Sequence, residues 1–307
     1  MSLNDIERTS MRILVTGASG WIGSASVTEL IAAGHHVIGL ARNDAAATRI
    51  KALGAEVTHG SLDDLDSLRA AAARAEGVVH LGYKHDFSQM ADAARTDRAA
   101  IDTFAEVLQG TGGPLLIASG TLGLAPGRIG TEADVPDPAV HPRVGNAAYT
   151  LGLADRGIRS LVVRFAPTVH GAGGDHGFVA TLAKTARTQG VSAYLGTGQN
   201  RWSAVHRLDA AKLVRLAIDK AAPGSILHAV AEEAITAHTI ATALGQQLAV
   251  PVQSIPSDLA AAHFGWIGMF FAADAPASSA QTRELLGWKP QHPTLLEDIA
   301  AGHYPGT

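Results

Sequence analysis

The chain has 307 residues, 47% of them hydrophobic and 17% charged, with a formal net charge of −4 and no cysteine. That length supports one large α/β unit with an added lobe, or two domains, and the missing thiol excludes disulfides, thiol catalysis and cysteine-based zinc sites. No lysine–arginine cluster argues for nucleic acid as a partner, and the fourteen histidines lack metal-ligand spacing, so no metal is expected.

Met1 to Ser10 is polar and lacks the apolar segment of a signal peptide, so it is expected to be a short disordered extension. The longest apolar run near the end, Trp266 to Ala273, is too short to cross a bilayer. The expectation is a soluble, cytoplasmic protein.

The first strand is the apolar run Arg12 to Thr16, which ends in a glycine-rich turn, Gly17-Ala18-Ser19-Gly20-Trp21-Ile22-Gly23. The turn opens a helix carrying Ile22, Ala25, Leu30 and Ile31 on one side. Strand, glycine turn and helix in this order form a dinucleotide cradle. Gly17 allows the tight turn, Gly20 lets backbone N–H groups approach a pyrophosphate, and Gly23 lets the helix pack close to the strand. The helix N-terminus adds donors and a positive dipole end. Thr16, Ser19, Trp21 and Ile22 complete this candidate cofactor-binding stretch.

A second strand covers His36 to Arg42. No carboxylate stands at positions 39 to 42 to bond an adenosine ribose, whereas Arg42 suits a 2′-phosphate, which favours NADP(H) over NAD(H). Arg42 simply solvated, with Asp44 near the ribose, is the competing reading. A helix over about Asp44 to Leu53 and a strand over Ala55 to His59 follow, then Leu62 and Asp63. Asp63 is placed to cap the helix that continues through Leu65, Leu68 and Ala72.

The fourth strand runs Gly77 to Gly82, and Tyr83, Lys84, His85 and Asp86 follow at the strand's carboxyl edge, where ligands bind in open α/β sheets. A long helix spans about Gln89 to Leu108, with Ala91, Ala94, Ile101, Phe104 and Leu108 as its apolar stripe. The fifth strand, Pro114 to Ala118, ends in Ser119-Gly120-Thr121. These hydroxyls either serve a substrate or cap a turn.

Thr-Gly-x-x-Gly-x-x-Gly on the first strand resembles the extended short-chain dehydrogenase/reductase superfamily, with its epimerase, dehydratase and dihydroflavonol-reductase-like members. Other stretches carry the same likeness. They are His80-Leu81-Gly82, the Arg164 to Gly171 passage with Pro167, the Val205-His206 passage, and Leu286-Gly287-Trp288-Lys289-Pro290 near the end. The likeness runs from about Met11 to about Pro290. It implies that Leu62 and Asp63 face the adenine, that Leu81, Gly82 and Pro167 cover the cofactor, and that Ser119, with Thr121 next, holds a substrate oxygen. It also implies a homodimer through the long helix.

One part of the superfamily pattern is absent. A catalytic Tyr with a Lys four residues on should open the helix before the sixth strand, Ser160 to Phe165. Tyr149 is followed four residues later by Leu153, and no lysine lies between Lys84 and Lys184. Counting from Ser119 and from the sixth strand puts Arg143 at the Tyr position, with Asn146 or Ala147 near the Lys position. Three accounts remain open at this level. Arg143 orients the substrate or stabilises an oxyanion; the proton comes from His85, Tyr83, Tyr149 or water; or the protein binds cofactor without turnover.

Downstream, Gly173 to Gly177 is a candidate lid, Phe178 to Thr188 a helix, and Asp209 caps or anchors the next helix. His170, Trp202 and His206 are candidate pocket residues, and Phe178, Phe264, Trp266, Phe270 and Phe271 point to a hydrophobic substrate. Taken together, the expectation is an α/β protein with a Rossmann-type doubly wound parallel sheet. Residues 11–170 form the NAD(P)-binding domain and 171–307 mainly a smaller α/β substrate lobe, with segments returning to the sheet. The function is NADP(H)-dependent reduction of a ketone or aldehyde. The alternatives are an NAD-using nucleotide-sugar epimerase or dehydratase, and a non-catalytic cofactor sensor.

Overall fold

The computed structural model describes residues 10–85, 89–137 and 142–306. Strands and helices alternate from the start: β1 (Arg12–Thr16), α1 (Trp21–Ala32), β2 (His36–Ala41), α2 (Asp44–Ala52), β3 (Glu56–His59), α3 (Leu65–Ala72), β4 (Gly77–His80), α4 (Met90–Leu108), β5 (Pro114–Gly120), α5 (Pro142–Gly152) and β6 (Arg159–Phe165). The pattern then loosens into β7 (Thr168–His170), α6 (Phe178–Gln189), β8 (Ser192–Leu195), β9 (Arg201–His206), α7 (Arg207–Lys220), β10 (Ser225–Ala229), β11 (Glu232–Thr236), α8 (Ala237–Leu248) and β12 (Val252–Ile255). The short helices α9 (Ala260–Phe264), α10 (Ile267–Phe271), α11 (Ala280–Leu286) and α12 (Leu295–Ala300) close the chain.

A seven-stranded sheet has the order β10-β6-β5-β4-β1-β2-β3. The pairs β1–β2, β1–β4, β2–β3 and β4–β5 are parallel, with Leu14 opposite Ile38 and Val78, and Val79 opposite Leu116. The strand order reverses at β1, so the carboxyl ends of β1 and β4 stand side by side at the switch point where such sheets bind ligands. Because side chains alternate along a strand, Leu14, Ile38, Val78 and Leu115 pack against Leu68, Phe104 and Ala147 from α3, α4 and α5. Ile13, Val15, Val79 and Leu116, on the other face, are equally buried. A sheet buried on both faces explains why these strands are continuous apolar runs rather than alternating ones.

The chain divides into two compact units. The first holds residues up to Ser119, with Asp137–Val163 and Ala211–Ile226; the second holds Gly120–Pro136, Arg164–Ala210 and Leu227–Thr307. The second unit has its own core, in which Trp202, Phe264 and Phe271 pack with Leu182, Ile240 and Leu295. It also contains a three-stranded sheet, β11-β9-β7, and the pair β12-β8. Thr236 caps α8 by accepting from the Thr239 N–H at 3.1 Å. Gly287 ends α11 in the left-handed conformation at φ 63°, and Trp288 after it is buried. Among the described residues, no helix is long and apolar enough to cross a membrane.

Candidate active site

The phosphate end of the site is a backbone construction. Gly17 has φ +67°, and a Cβ on it would lie 2.8 Å from the Gly82 nitrogen. A Cβ on Gly23 would lie 2.0 Å from the Gly17 carbonyl oxygen, so the first turn of α1 is pressed directly against the turn that precedes it. The Gly20 N–H donates to the Gly17 carbonyl at 2.9 Å. Gly20 is the N-cap residue of α1 and has no side chain with which to cap the first turn. Gly20 is exposed in this turn, and Ser19, Trp21 and Ile22 are half-buried. The cradle fits the pyrophosphate of a dinucleotide, which takes its hydrogen bonds from backbone N–H groups and a helix N-terminus.

Thr16 fixes this cradle to the neighbouring strand. It is fully buried, accepts from the Gly82 N–H at 3.0 Å, and meets His80 Nδ1 at 2.6 Å. His80 Nε2 stands 3.2 Å from Asp97 Oδ1 on α4, and Asn146 on α5 donates to Asp97 Oδ2 at 2.7 Å. A proton on Nε2 faces the carboxylate and leaves Nδ1 to accept from the Thr16 hydroxyl. Burial alone would push the Asp97 carboxyl up, but His80, then Arg143 and Asn146, outweigh it and hold the group below its ordinary value.

Arg42, the candidate for a 2′-phosphate, is exposed directly after β2. Asn43 spends its side chain on the N-cap of α2, accepting from Ala46 N–H at 2.9 Å, and Asp44 is the first helical residue. The cap of α3 corrects an expectation. Asp64, not Asp63, accepts from the Ser67 N–H, at 3.1 Å, because the turn after Ser61 places Asp64 at the helix entry. Asp63 is left to pair with Lys84 from the segment after β4. Leu62 is partly buried and packs on the first unit's core.

The candidate catalytic residues come from three elements. Ser119 is the penultimate residue of β5 and is 7% exposed. Arg143 is the second residue of α5, and its guanidinium carbon lies 4.0 Å from the centroid of the Tyr83 ring. Burial presses the Arg143 guanidinium below the usual arginine range, while Asp97 and Tyr83 hold it up. His85, exposed, packs edge-on against Tyr83 with ring centroids 5.5 Å apart. Tyr149 is not brought to this group. It lies under the Arg98 guanidinium at 3.2 Å, and a hydrogen bond to Asp102, then burial, raises its pKa. Ala147, four residues after Arg143, is buried in the core. Asp86 and His141 lie outside the described residues. Asp97 escaped the sequence reading, although a readable signal existed: it sits between Ala94 and Ile101 on the buried stripe of α4, where a carboxylate needs a partner.

In the second unit, Thr121 is buried, donates its backbone N–H to Phe165 O at 3.0 Å, and lies 3.4 Å from Ser203 Oγ. Pro167 is partly buried between β6 and β7. Trp202 is a core residue rather than a pocket wall. Asp209 anchors rather than caps: its carboxylate accepts from the Gln291 and His292 backbone N–H groups, each at 3.0 Å, and meets His292 Nδ1 at 2.9 Å. His206, Asp209 and His292 offer ligand atoms within 4.8 Å of one another, yet those bonds already employ both Asp209 oxygens. His170 is buried and meets Asp298 at 2.6 Å. The Gly173–Gly177 loop is tied down by Asp175, which accepts from the Gly177 N–H at 2.7 Å and the Tyr304 hydroxyl at 2.9 Å.

Comparisons with known proteins bear on the family and the fold. Residues 13–229 match the model of the NAD dependent epimerase/dehydratase family. An uncharacterized protein of Schizosaccharomyces pombe is 46% identical over 296 residues, covering 96% of this chain and all of that one. A 3-diazoavenalumate denitrifying reductase of Streptomyces sp is 30% identical over 308 residues, covering 94% and 99%. Among solved structures, the UDP-glucose 4-epimerase of Thermotoga maritima with UDP-glucose superposes with a TM-score of 0.76 at 20% identity, covering 96% of this chain and 98% of that one. The chain therefore belongs to the NAD dependent epimerase/dehydratase family and has the oxidoreductase fold of that family.

Proposed function

We propose that this chain is an NADP(H)-preferring reductase that delivers hydride to the carbonyl carbon of a small hydrophobic substrate. The observation that carries the reading is the pairing of a complete phosphate cradle at Gly17–Gly23 with a fixed cation, Arg143, at the start of α5. A sugar epimerase or dehydratase needs a group there that takes a proton from a hydroxyl. A guanidinium has no lone pair for that task but suits an oxygen that gains negative charge. The bound dinucleotide supplies the hydride. Ser119 donates its hydroxyl to the carbonyl oxygen, and Arg143 stabilises the charge developing on it. The Streptomyces relative is itself named a reductase.

Arg42 supports the preference for NADP(H), since no carboxylate competes with it at the end of β2 and its side chain is exposed. The aromatic residues of the second unit support an apolar substrate. Trp202, Phe264 and Phe271 are core, but Trp266 remains 46% exposed and packs edge-on against Phe178 at 5.8 Å, with Phe270 beside both.

Fluorescence titration with NADPH and NADH, on the wild type and on Arg42→Ala, tests the cofactor assignment. One charge-assisted contact corresponds to a preference of about 10- to 100-fold for NADPH, lost in the variant. Equal affinities in the wild type would overturn the preference, and binding of neither would overturn the oxidoreductase reading.

A further inference from the structure

Arg143 cannot supply the proton that a reduced carbonyl oxygen needs at neutral pH. We infer that Tyr83, carried on the segment after β4, is the proton donor of this site, with the Arg143 guanidinium stacked on its ring as the cation that stabilises its tyrosinate. The inference rests on the reductase reading above and names the acid that reading lacks.

Four observations place Tyr83 in this role. First, β4 and β5 are parallel neighbours, with His80 opposite Ile117, so Tyr83, just past β4, and Ser119, at the end of β5, lie at the same carboxyl edge of adjacent strands. Second, Gly82, the residue before Tyr83, is the one that the Gly17 turn approaches, so the phosphate cradle and Tyr83 share one corner of the sheet. Third, the Tyr83 hydroxyl is buried and has no hydrogen-bond partner among the described residues. A buried phenol left unsatisfied in this way is destabilising, and an arriving carbonyl oxygen relieves that by accepting from it. Fourth, the Arg143 guanidinium carbon lies 4.0 Å from the ring centroid, within the range of cation–π attraction.

The other candidates are employed elsewhere or exposed. Tyr149 is held by Asp102 and Arg98, and His85 is exposed and touches Tyr83 edge-on. Burial raises the Tyr83 pKa, Arg143 opposes that and Asp97 adds to it, so the phenol carries its proton at neutral pH.

The step balances as follows. Hydride from a reduced nicotinamide dinucleotide bonds to the carbonyl carbon, and the π pair moves to oxygen. That oxygen takes the Tyr83 proton as the phenolic O–H bond breaks, giving an alcohol and a tyrosinate beside Arg143. Solvent, on the side where His85 lies, returns the proton.

Two measurements test the assignment. In single-turnover oxidation of NADPH by an aldehyde and ketone panel, Tyr83→Phe keeps the ring under Arg143 and removes only the hydroxyl. The expected loss is about 10²- to 10⁴-fold in rate with NADPH affinity unchanged. A wild-type rate in Tyr83→Phe overturns the inference and leaves the reductase reading intact. A wild type that oxidises no NADPH overturns both. Independently of turnover, tyrosinate absorbance is titrated against pH in the wild type, Tyr83→Phe, Arg143→Gln and the double variant. The transition missing from Tyr83→Phe should move upward by about one pH unit in Arg143→Gln. No movement overturns the Tyr83–Arg143 pairing.

Discussion

The phosphate cradle at Gly17–Gly23 is made almost wholly of backbone, whereas the reacting end is made of side chains from β5, α4, α5 and the segment after β4. In the cradle, the decisive distances are those at which a Cβ would collide, 2.8 Å from Gly82 N and 2.0 Å from Gly17 O. At the candidate reacting end, they are contacts between groups far apart in sequence, such as Asn146 to Asp97 at 2.7 Å and the Arg143 guanidinium to the Tyr83 ring centroid at 4.0 Å. Backbone sites tolerate no side chain at their glycines but are indifferent to which polar residues surround them. Side-chain sites can change their chemistry while the fold stays.

The largest expected effect breaks the backbone half. Gly23→Val forces a branched side chain against the Gly17 carbonyl, and we expect a loss of about 3 kcal/mol or more with dinucleotide binding abolished. Thermal denaturation and the same fluorescence titration check both parts. Unchanged stability would mean that α1 moves away from the turn at little cost.

Breaking the side-chain half should separate chemistry from binding. Arg143→Gln is expected to lower the rate of NADPH oxidation by about 10²- to 10³-fold while leaving NADPH affinity near the wild type. A parallel loss of affinity, measured by titration, would place Arg143 on the dinucleotide instead of on the substrate oxygen.

The smallest effect concerns the second unit, where histidines are crowded together. Burial pushes the His206 pKa down to about 4 from 6.5; Asp298 opposes this and His170 and His292 add to it. The folded state then binds fewer protons than the unfolded state between those values. Stability is therefore fully present above the unfolded pKa and falls as the pH drops from about 6.5 toward 4, by about 1 kcal/mol per pH unit. His206→Gln should flatten that slope in chemical denaturation series across this range. An unchanged slope would assign the acid sensitivity to other groups.

Much of the architecture was legible because it depends on neighbours in sequence. The β–α alternation, the Thr236 cap and the stop at Gly287-Trp288 follow from local periodicity and turn chemistry. Local rules offered Asp63 as a cap, which falls to Asp64, and left Asp209 as either a cap or an anchor, of which the structure shows the anchor. Whether Asp63 or Asp64 caps α3 depends on where the preceding turn brings the chain. The task of Asp209 depends on a segment more than eighty positions away.

The sequence by itself determined the doubly wound sheet and the glycine cradle, since a seven-residue turn with its strand and helix contains its own geometry. Only the tertiary structure decided which side chains meet around Arg143 and Asp97. It set Arg143 over Tyr83, buried Asp97 against His80 and Asn146, and turned Tyr149 toward Arg98. The physical reason is that a cation, a phenol and a carboxylate influence one another through space, over a few ångströms. The spacing that brings them together is set by packed helices and strands and not by the chain that links them.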